Sequence, residues 1–158
     1  MGLEEYVRAD VTGVYEVIVE NVLNYAVTLK CKGYEGCEGL ILPIFIGEVE
    51  AMSIKMAMEG ISYKRPLTHD LIVSIFETLG VEVERVTIDA LIGNIYTATL
   101  VLKNQYAPRS GGLHYVDSRP SDAIAIAIRV KAPIYVAKRL LKYAIPEDKL
   151  GFEKGGNK

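Results

Sequence analysis

Several signatures are missing from this sequence, and each absence closes off a class of protein. No apolar run approaches the ~20 residues that a membrane-spanning helix needs. Met1-Gly2-Leu3-Glu4-Glu5 begins acidic, without the basic and apolar regions of a secretory signal. A cytoplasmic protein with no membrane partner is therefore expected. Positive excess is lacking too: a formal charge of −2 argues against a dedicated binder of duplex DNA. It leaves room for a nuclease that carries local positive charge on an acidic body. Cys31 and Cys37 are the only cysteines, His69 and His114 the only histidines. A four-ligand zinc site would need a second pair at suitable spacing, and there is none. Cys31 and Cys37 bracket Gly33 and Gly36 and could close a small disulfide loop, but reduced thiols are expected in a cytosolic chain. Gly-rich phosphate loops, nucleophile elbows and dinucleotide fingerprints are all absent.

What remains is ordinary globular composition, half apolar and about a quarter charged over 158 residues. That length suits one domain over 1–150, with 151–158 expected to be a disordered tail. Val- and Ile-rich stretches predict strands over 11–20, 25–32 and 40–46, with a turn at 21–24. A helix follows over 48–59, apolar on nearly all sides through Val49, Met52, Ile54, Met56 and Met58, and so expected to be buried on more than one face, within the chain or against a partner subunit. Thr68 reads as the N-cap of a helix over 69–79 that Gly80 terminates. Strands over 81–91 and 95–103 flank a Gly93-Asn94 hairpin turn. A loop with Arg109 at its tip leads to a short strand over 113–116. The segment 119–131 alternates Ala and Ile with a period of two. Its alanines, Pro120 and the Ser121/Asp122 start nevertheless predict a helix, one apolar all round and hence buried. A strand over 134–136 and a short helix over 138–143 close the pattern, the latter carrying a candidate basic cluster of Lys138, Arg139 and Lys142.

Shifting the chain by about 72 residues lays Ile44, Glu50, Ala51, Met52, Ile54 and Met56 on Val116, Asp122, Ala123, Ile124, Ile126 and Ile128. Each half then reads as a β-β-β-α unit. The expected fold is α+β, a mixed and largely antiparallel sheet with packed helices and an internal duplication.

Three charged constellations remain to be explained. They are Glu48 with Glu50, the run Arg65-Pro66-Leu67-Thr68-His69-Asp70, and Asp117, Arg119 and Asp122. One reading is architectural: acids favour helix N-termini, and each Arg pairs with a nearby carboxylate. The other is catalytic. It takes Glu50, His69, Asp70, Asp117 and Asp122 as acid–base candidates and Arg65 and Arg119 as substrate-binding groups. Glu48, Glu50 and Asp122 are then the candidate ligands of Mg²⁺ or Mn²⁺.

With these motifs in place, the chain resembles the bifunctional nuclease domain family. The likeness rests on Leu42-Pro43-Ile44-Phe45-Ile46-Gly47 with Glu48, Glu50 and Ala51, on Arg65-Pro66-Leu67-Thr68-His69-Asp70-Leu71, and on Asp117-Ser118-Arg119-Pro120-Ser121-Asp122-Ala123-Ile124-Ala125. Ser118 stands where that family often has Ala. The resemblance implies a homodimeric α+β nuclease acting on RNA and DNA; the site residues above come from charge and position. The competing expectation is a dimeric binding or regulatory module without chemistry, suggested by the acidic charge and the all-round apolar helices.

Overall fold

Two left-handed turns set the register of this chain. Its computed structural model describes residues 2–104, 106, 112–150 and 153–154. After a 3-10 turn at Leu3–Glu5, β1 (Tyr6–Val19) and β2 (Val22–Lys32) are joined by Glu20-Asn21, at φ 51° and 63°. Farther on, β4 (Val81–Ile92) and β5 (Ile95–Asn104) are joined by Gly93-Asn94, at φ 56° and 65°. Positive φ at both central residues gives the type I′ turn, whose twist matches that of paired strands. The Gly93-Asn94 turn falls where the sequence predicts it. The first turn comes earlier than expected, because Glu20 and Asn21 complete the reversal and Val22 already pairs with Val19. The first strand also starts at Tyr6 rather than Val11, since residues 6–9 pair with a late strand, β7 (Ile134–Ala137).

The other elements are β3 (Leu40–Ile46), α1 (Glu48–Glu59), α2 (Thr68–Leu79), β6 (Leu113–Ser118), α3 (Pro120–Val130), β8 (Ile145–Pro146) and β9 (Glu153–Lys154). The 138–143 helix is a 3-10 helix. The sheet runs β6-β5-β4-β7-β1-β2-β3-β8, with β9 against β1. Every pairing is antiparallel except β4 with β7. This is the expected mixed, largely antiparallel α+β fold. Two three-strand meanders, each followed by a helix, flank β7. Within the stretch expected to be a disordered tail, Glu153–Lys154 pair with Tyr15 and Glu16, and the rest lies outside the described residues. Arg109 lies outside them as well.

Helix α3 decides the packing. Seven of its residues, Pro120, Ser121 and Ala123 through Ala127, are buried. The helix touches α1, α2, β4 and β5, so its alternating Ala and Ile find apolar neighbours in every direction. This is why a period-two pattern is helical here. An alternating strand buries one face, whereas a helix wrapped on all sides has no need of a polar one. Lys131 ends it at φ 57°, in the left-handed cap position usually held by Gly.

Three local expectations are narrowed or corrected. Within one chain helix α1 buries a single face: Ala51, Ser53 and Ile54 turn inward, while Val49 is 75% and Met52 53% exposed. Thr68 is the first helical residue of α2 and not its cap. The cap position belongs to Leu67, whose N–H donates to Asp70 Oδ2 at 3.0 Å, giving half of a capping box. Cys31 and Cys37 are not free thiols but a disulfide, with Cα atoms 5.8 Å apart. Gly33 and Gly36, at φ 72° and 88°, turn the chain back tightly enough to bring them together. The basic cluster is used internally: Arg139 donates to the Asp89 carbonyl at 2.9 and 2.7 Å, and Lys138 lies 4.9 Å from the centre of the Tyr34 ring.

Closing so short a loop removes about 2 kcal/mol of unfolded-chain entropy in the chain-entropy treatment. Cys37→Ser, or dithiothreitol added to the parent, is expected to lower the urea midpoint accordingly. A midpoint unmoved by reductant would mean that the bond contributes nothing to stability.

Candidate active site

Two strand-to-helix corners build the site. At the first, β3 ends at Gly47 and α1 begins; at the second, β6 leads through Arg119 into α3. Both junction residues are extended, Gly47 at φ −73°, ψ 159° and Arg119 at φ −69°, ψ 145°, and neither offers a side-chain cap. Acids in the first turn, Glu48 and Glu50 in α1 and Asp122 in α3, face the positive helix ends instead. Pro120 occupies the first helical turn, where its missing N–H costs nothing.

Arg119 ties the corners together. Its Nε donates to Asp122 Oδ2 at 2.8 Å, and its Nη2 reaches both Asp122 Oδ1 at 3.2 Å and Glu50 Oε1 at 2.9 Å. Two carboxylates from distant parts of the chain thus share one guanidinium nitrogen. The Arg119 side chain is 64% exposed, whereas that of Glu50 is 18% exposed. The cation is therefore the accessible member of the cluster. Gly47 makes room for it: a Cβ there would collide with the Glu50 carboxylate.

Behind Asp122 lies a buried relay. His69 Nε2 is 2.8 Å from Asp122 Oδ1, and His69 Nδ1 is 2.6 Å from Ser53 Oγ. His69 and Ser53 are 6% and 7% exposed. An ionised carboxylate can only accept, so the proton sits on Nε2, and in the neutral ring Nδ1 accepts from the Ser53 hydroxyl. Burial works to raise the Asp122 pKa, but hydrogen bonds from Arg119 and His69 outweigh it and hold the group below its ordinary 3.8. The same hydrogen bonds to Asp122 and Glu50 raise the Arg119 pKa, so Arg119 stays charged.

Not every candidate joins this cluster. Asp70 pairs with Arg129, whose Nε donates to its Oδ1 at 2.7 Å and which also reaches the carbonyls of Ala125 at 3.0 Å and Ser53 at 3.4 Å. That hydrogen bond from Arg129 is the main reason the Asp70 pKa is lowered. Asp70 thus fastens α2 to α3 and α1. Glu48 is exposed and lies beside the Tyr25 phenol. Asp117 is exposed on β6 opposite Thr99, and Arg65 is exposed in the loop before α2. Among the described residues, no group of three or more His, Cys, Asp and Glu side chains is placed to hold a metal ion. Glu48, Glu50 and Asp122 are accordingly not gathered as one ligand set. His114 is exposed on β6, an edge strand.

Sequence reasoning missed Ser53 and Arg129. The first had a signal, a lone hydroxyl between Met52 and Ile54 on the inward side of α1. The second was visible as the single charge ending an apolar helix.

Because the folded Asp122 pKa is depressed, its contribution to stability is present above the unfolded value and lost as pH falls through the folded one. Asp122→Asn is expected to cost about 1–3 kcal/mol near neutrality, with the gap to the parent closing below the ordinary 3.8. Thermal melts across pH 7 to 2 check this; a gap that persists in acid would point to packing rather than charge. Gly47→Ala is expected to keep the fold, since its φ and ψ suit any residue. It should break the Glu50–Arg119 pair, which a crystal structure of the variant would reveal.

The model of the bifunctional nuclease domain matches residues 34–148. An uncharacterized protein of Mycobacterium tuberculosis (strain H37Rv) is 38% identical over 110 residues, which is 68% of this chain and 62% of that protein. Bifunctional nuclease 2 of Arabidopsis thaliana is 34% identical over 124 residues, or 76% of this chain and 36% of the plant protein. Bifunctional nuclease 1 of the same plant is 33% identical over 115 residues, 73% and 34%. The chain therefore spans less than two thirds of these relatives' own length. With the matched segment holding both corners, α2 and the relay between them, the chain belongs to the bifunctional nuclease domain family.

Proposed function

We propose that this chain is a nuclease, a phosphodiesterase that cleaves RNA or DNA where Glu50, Arg119 and Asp122 meet. The observation that carries this reading is the convergence of the two helix starts on an exposed guanidinium backed by a buried histidine. The names of the plant relatives point the same way.

A guanidinium matches the oxygens of a phosphate, and Arg119 is the exposed group at the corner. A phosphate arriving there competes with Glu50 and Asp122 for the same N–H groups. Binding therefore neutralises the phosphate and releases the carboxylates together. Glu50, freed, accepts the proton of the attacking water as its oxygen bonds to phosphorus. The leaving sugar oxygen departs opposite and takes up a proton from solvent water, and Glu50 later returns its proton to solvent. Asp122, kept ionised and aimed by His69, orients the water. His69 is a positioning residue in this scheme, since it is buried with both ring nitrogens engaged.

Two carboxylates against one guanidinium leave the corner acidic, and Mg²⁺ is commonly held by one or two carboxylates plus substrate phosphate oxygens. Glu50 and Asp122 fit that role for Mg²⁺ or Mn²⁺, and Glu48 does not. Such an ion, when bound, would acidify a coordinated water and stabilise charge at phosphorus.

A second reading, a homodimeric binding or regulatory module, draws on exposed apolar groups. Leu71, Ile75 and Leu79 recur along one side of α2 and are 53%, 46% and 62% exposed. We propose that these faces pair two copies of the chain, whichever reading of the chemistry holds. A cytoplasmic location is likewise a proposal; the chain holds no helix long and apolar enough to cross a membrane among the described residues.

Glu50→Gln, Arg119→Ala and Asp122→Asn, purified alongside the parent, are each expected to lower kcat/KM on single-stranded RNA by about 100-fold or more. Asp70→Asn, acting on Arg129, should change stability more than rate. Parental rates in all three site variants would place the activity elsewhere. Sedimentation of Leu71→Glu/Ile75→Glu tests the dimer, with a monomer expected and an unchanged mass overturning it.

A further inference from the structure

Beside the charged corner lies a cleft that the scheme above does not use. It encloses about 370 Å³ between the Ile44–Gly47 strand end, the Gly93-Asn94 hairpin turn and the start of α3. Phe45, Asn94, Ile95 and Tyr96 line it, and Arg119 stands among its wall residues. Its size falls within the range of small-ligand sites, and its chemistry is theirs too: apolar and aromatic walls with a few polar groups.

We infer that this cleft is a base subsite, which takes one unstacked nucleobase of a single-stranded nucleic acid while Arg119 holds the adjoining phosphate. The inference rests on the nuclease reading for the role of Arg119, and adds to it a strand preference. Four observations support it. The cleft adjoins the cation, so one nucleotide can engage both. Its walls carry two aromatic rings, and base–aromatic stacking is available to any base because each has a π-face. Two of its exposed members are large and apolar, Phe45 at 56% and Ile95 at 69%, a desolvation cost that an apolar ligand face relieves. The Asn94 carboxamide, on a left-handed turn residue, can both donate to and accept from a base edge. A base held inside a duplex cannot enter such a pocket without being turned out of the stack. The protein should therefore favour single strands, unpaired loops and ends. The overall charge of −2 agrees, because affinity drawn from stacking needs fewer phosphate contacts than duplex binding does.

The test separates this subsite from the activity. Fluorescence anisotropy is measured with a 5′-labelled single-stranded oligonucleotide, its duplex and an abasic version of the same strand, and hydrolysis is followed on all three. The parent is expected to bind the single strand about tenfold or more tightly than the abasic strand or the duplex. Phe45→Ala and Tyr96→Ala should abolish that preference, and the loss should appear in KM. Ile95→Asp, at a mostly exposed position in the cleft wall, should do the same by putting a hydrated carboxylate where the apolar face of the base would pack. Abasic and base-bearing strands bound equally by the parent would overturn the subsite, as would variants that keep the preference. Base-dependent binding without hydrolysis of any strand would leave the subsite standing and refute the nuclease reading instead.

Discussion

A helix without a polar face must be surrounded, and in this protein that requirement falls on α3. Residues 123–127 are at most 1% exposed, so α1, α2, β4 and β5 all take their places against it. Full burial of each isoleucine stabilises the fold by about 1.5–3 kcal/mol, and polar groups are thereby pushed to the helix ends. The charges that begin and end α3 become the places where other elements are tied on. At the start, Asp122 takes His69 from α2, and Arg119 takes Glu50 from α1. At the end, Arg129 takes Asp70 from α2 and the Ser53 carbonyl from α1. The site is thus one of two clamps that a buried helix demands, and the one whose cation reaches water.

This accounts for which features were legible in the sequence. The order of elements and the α+β class were readable because strand runs, hairpin turns and helix stops each leave local marks, Gly93-Asn94 and Gly80 among them. Glu50, Arg119 and Asp122 were readable as charges beside apolar elements. Their partners were not. Glu50 and Arg119 lie far apart in sequence, and nothing local says that α1 packs its first turn against that of α3. The disulfide was misjudged for a related reason: the compartment argument weighed against it, while the geometry of the Gly33-to-Gly36 turn brings the cysteines together. The outward apolar side of α1 stays exposed within the chain, and composition alone does not say how many faces of a helix the same chain covers.

The two β-β-β-α units placed either side of β7 invite an evolutionary reading. We propose that they are copies of one unit, with Glu50 and Asp122 at matching places in the two helices. On that view, convergence on Arg119 follows from architecture: paired corners bring paired first-turn acids together, and like charges brought together need a cation. Arg119, which has no counterpart in the first corner, supplies it. His69, from the element that joins the halves, supports only Asp122. The two acids therefore sit differently: one is hydrogen-bonded from behind, and the other, among the described residues, is held by the guanidinium and its helix end.

That difference bears on how an acidic corner could handle a phosphodiester. Two carboxylates repel a phosphate, and Arg119 compensates only one of them. Local charge therefore opposes binding until Arg119 turns outward or a cation enters. The exposure of Arg119 makes it the member that can turn, its side chain being 64% exposed against 18% for Glu50. An incoming phosphate takes the place of the carboxylates it leaves. Asp122 does not follow, because His69 and Ser53 retain it from the buried side. On the proposed reading a nucleotide has two holds, the movable guanidinium and the apolar cleft alongside, while the fixed carboxylate is left to orient the water. Only that carboxylate is already in its final place.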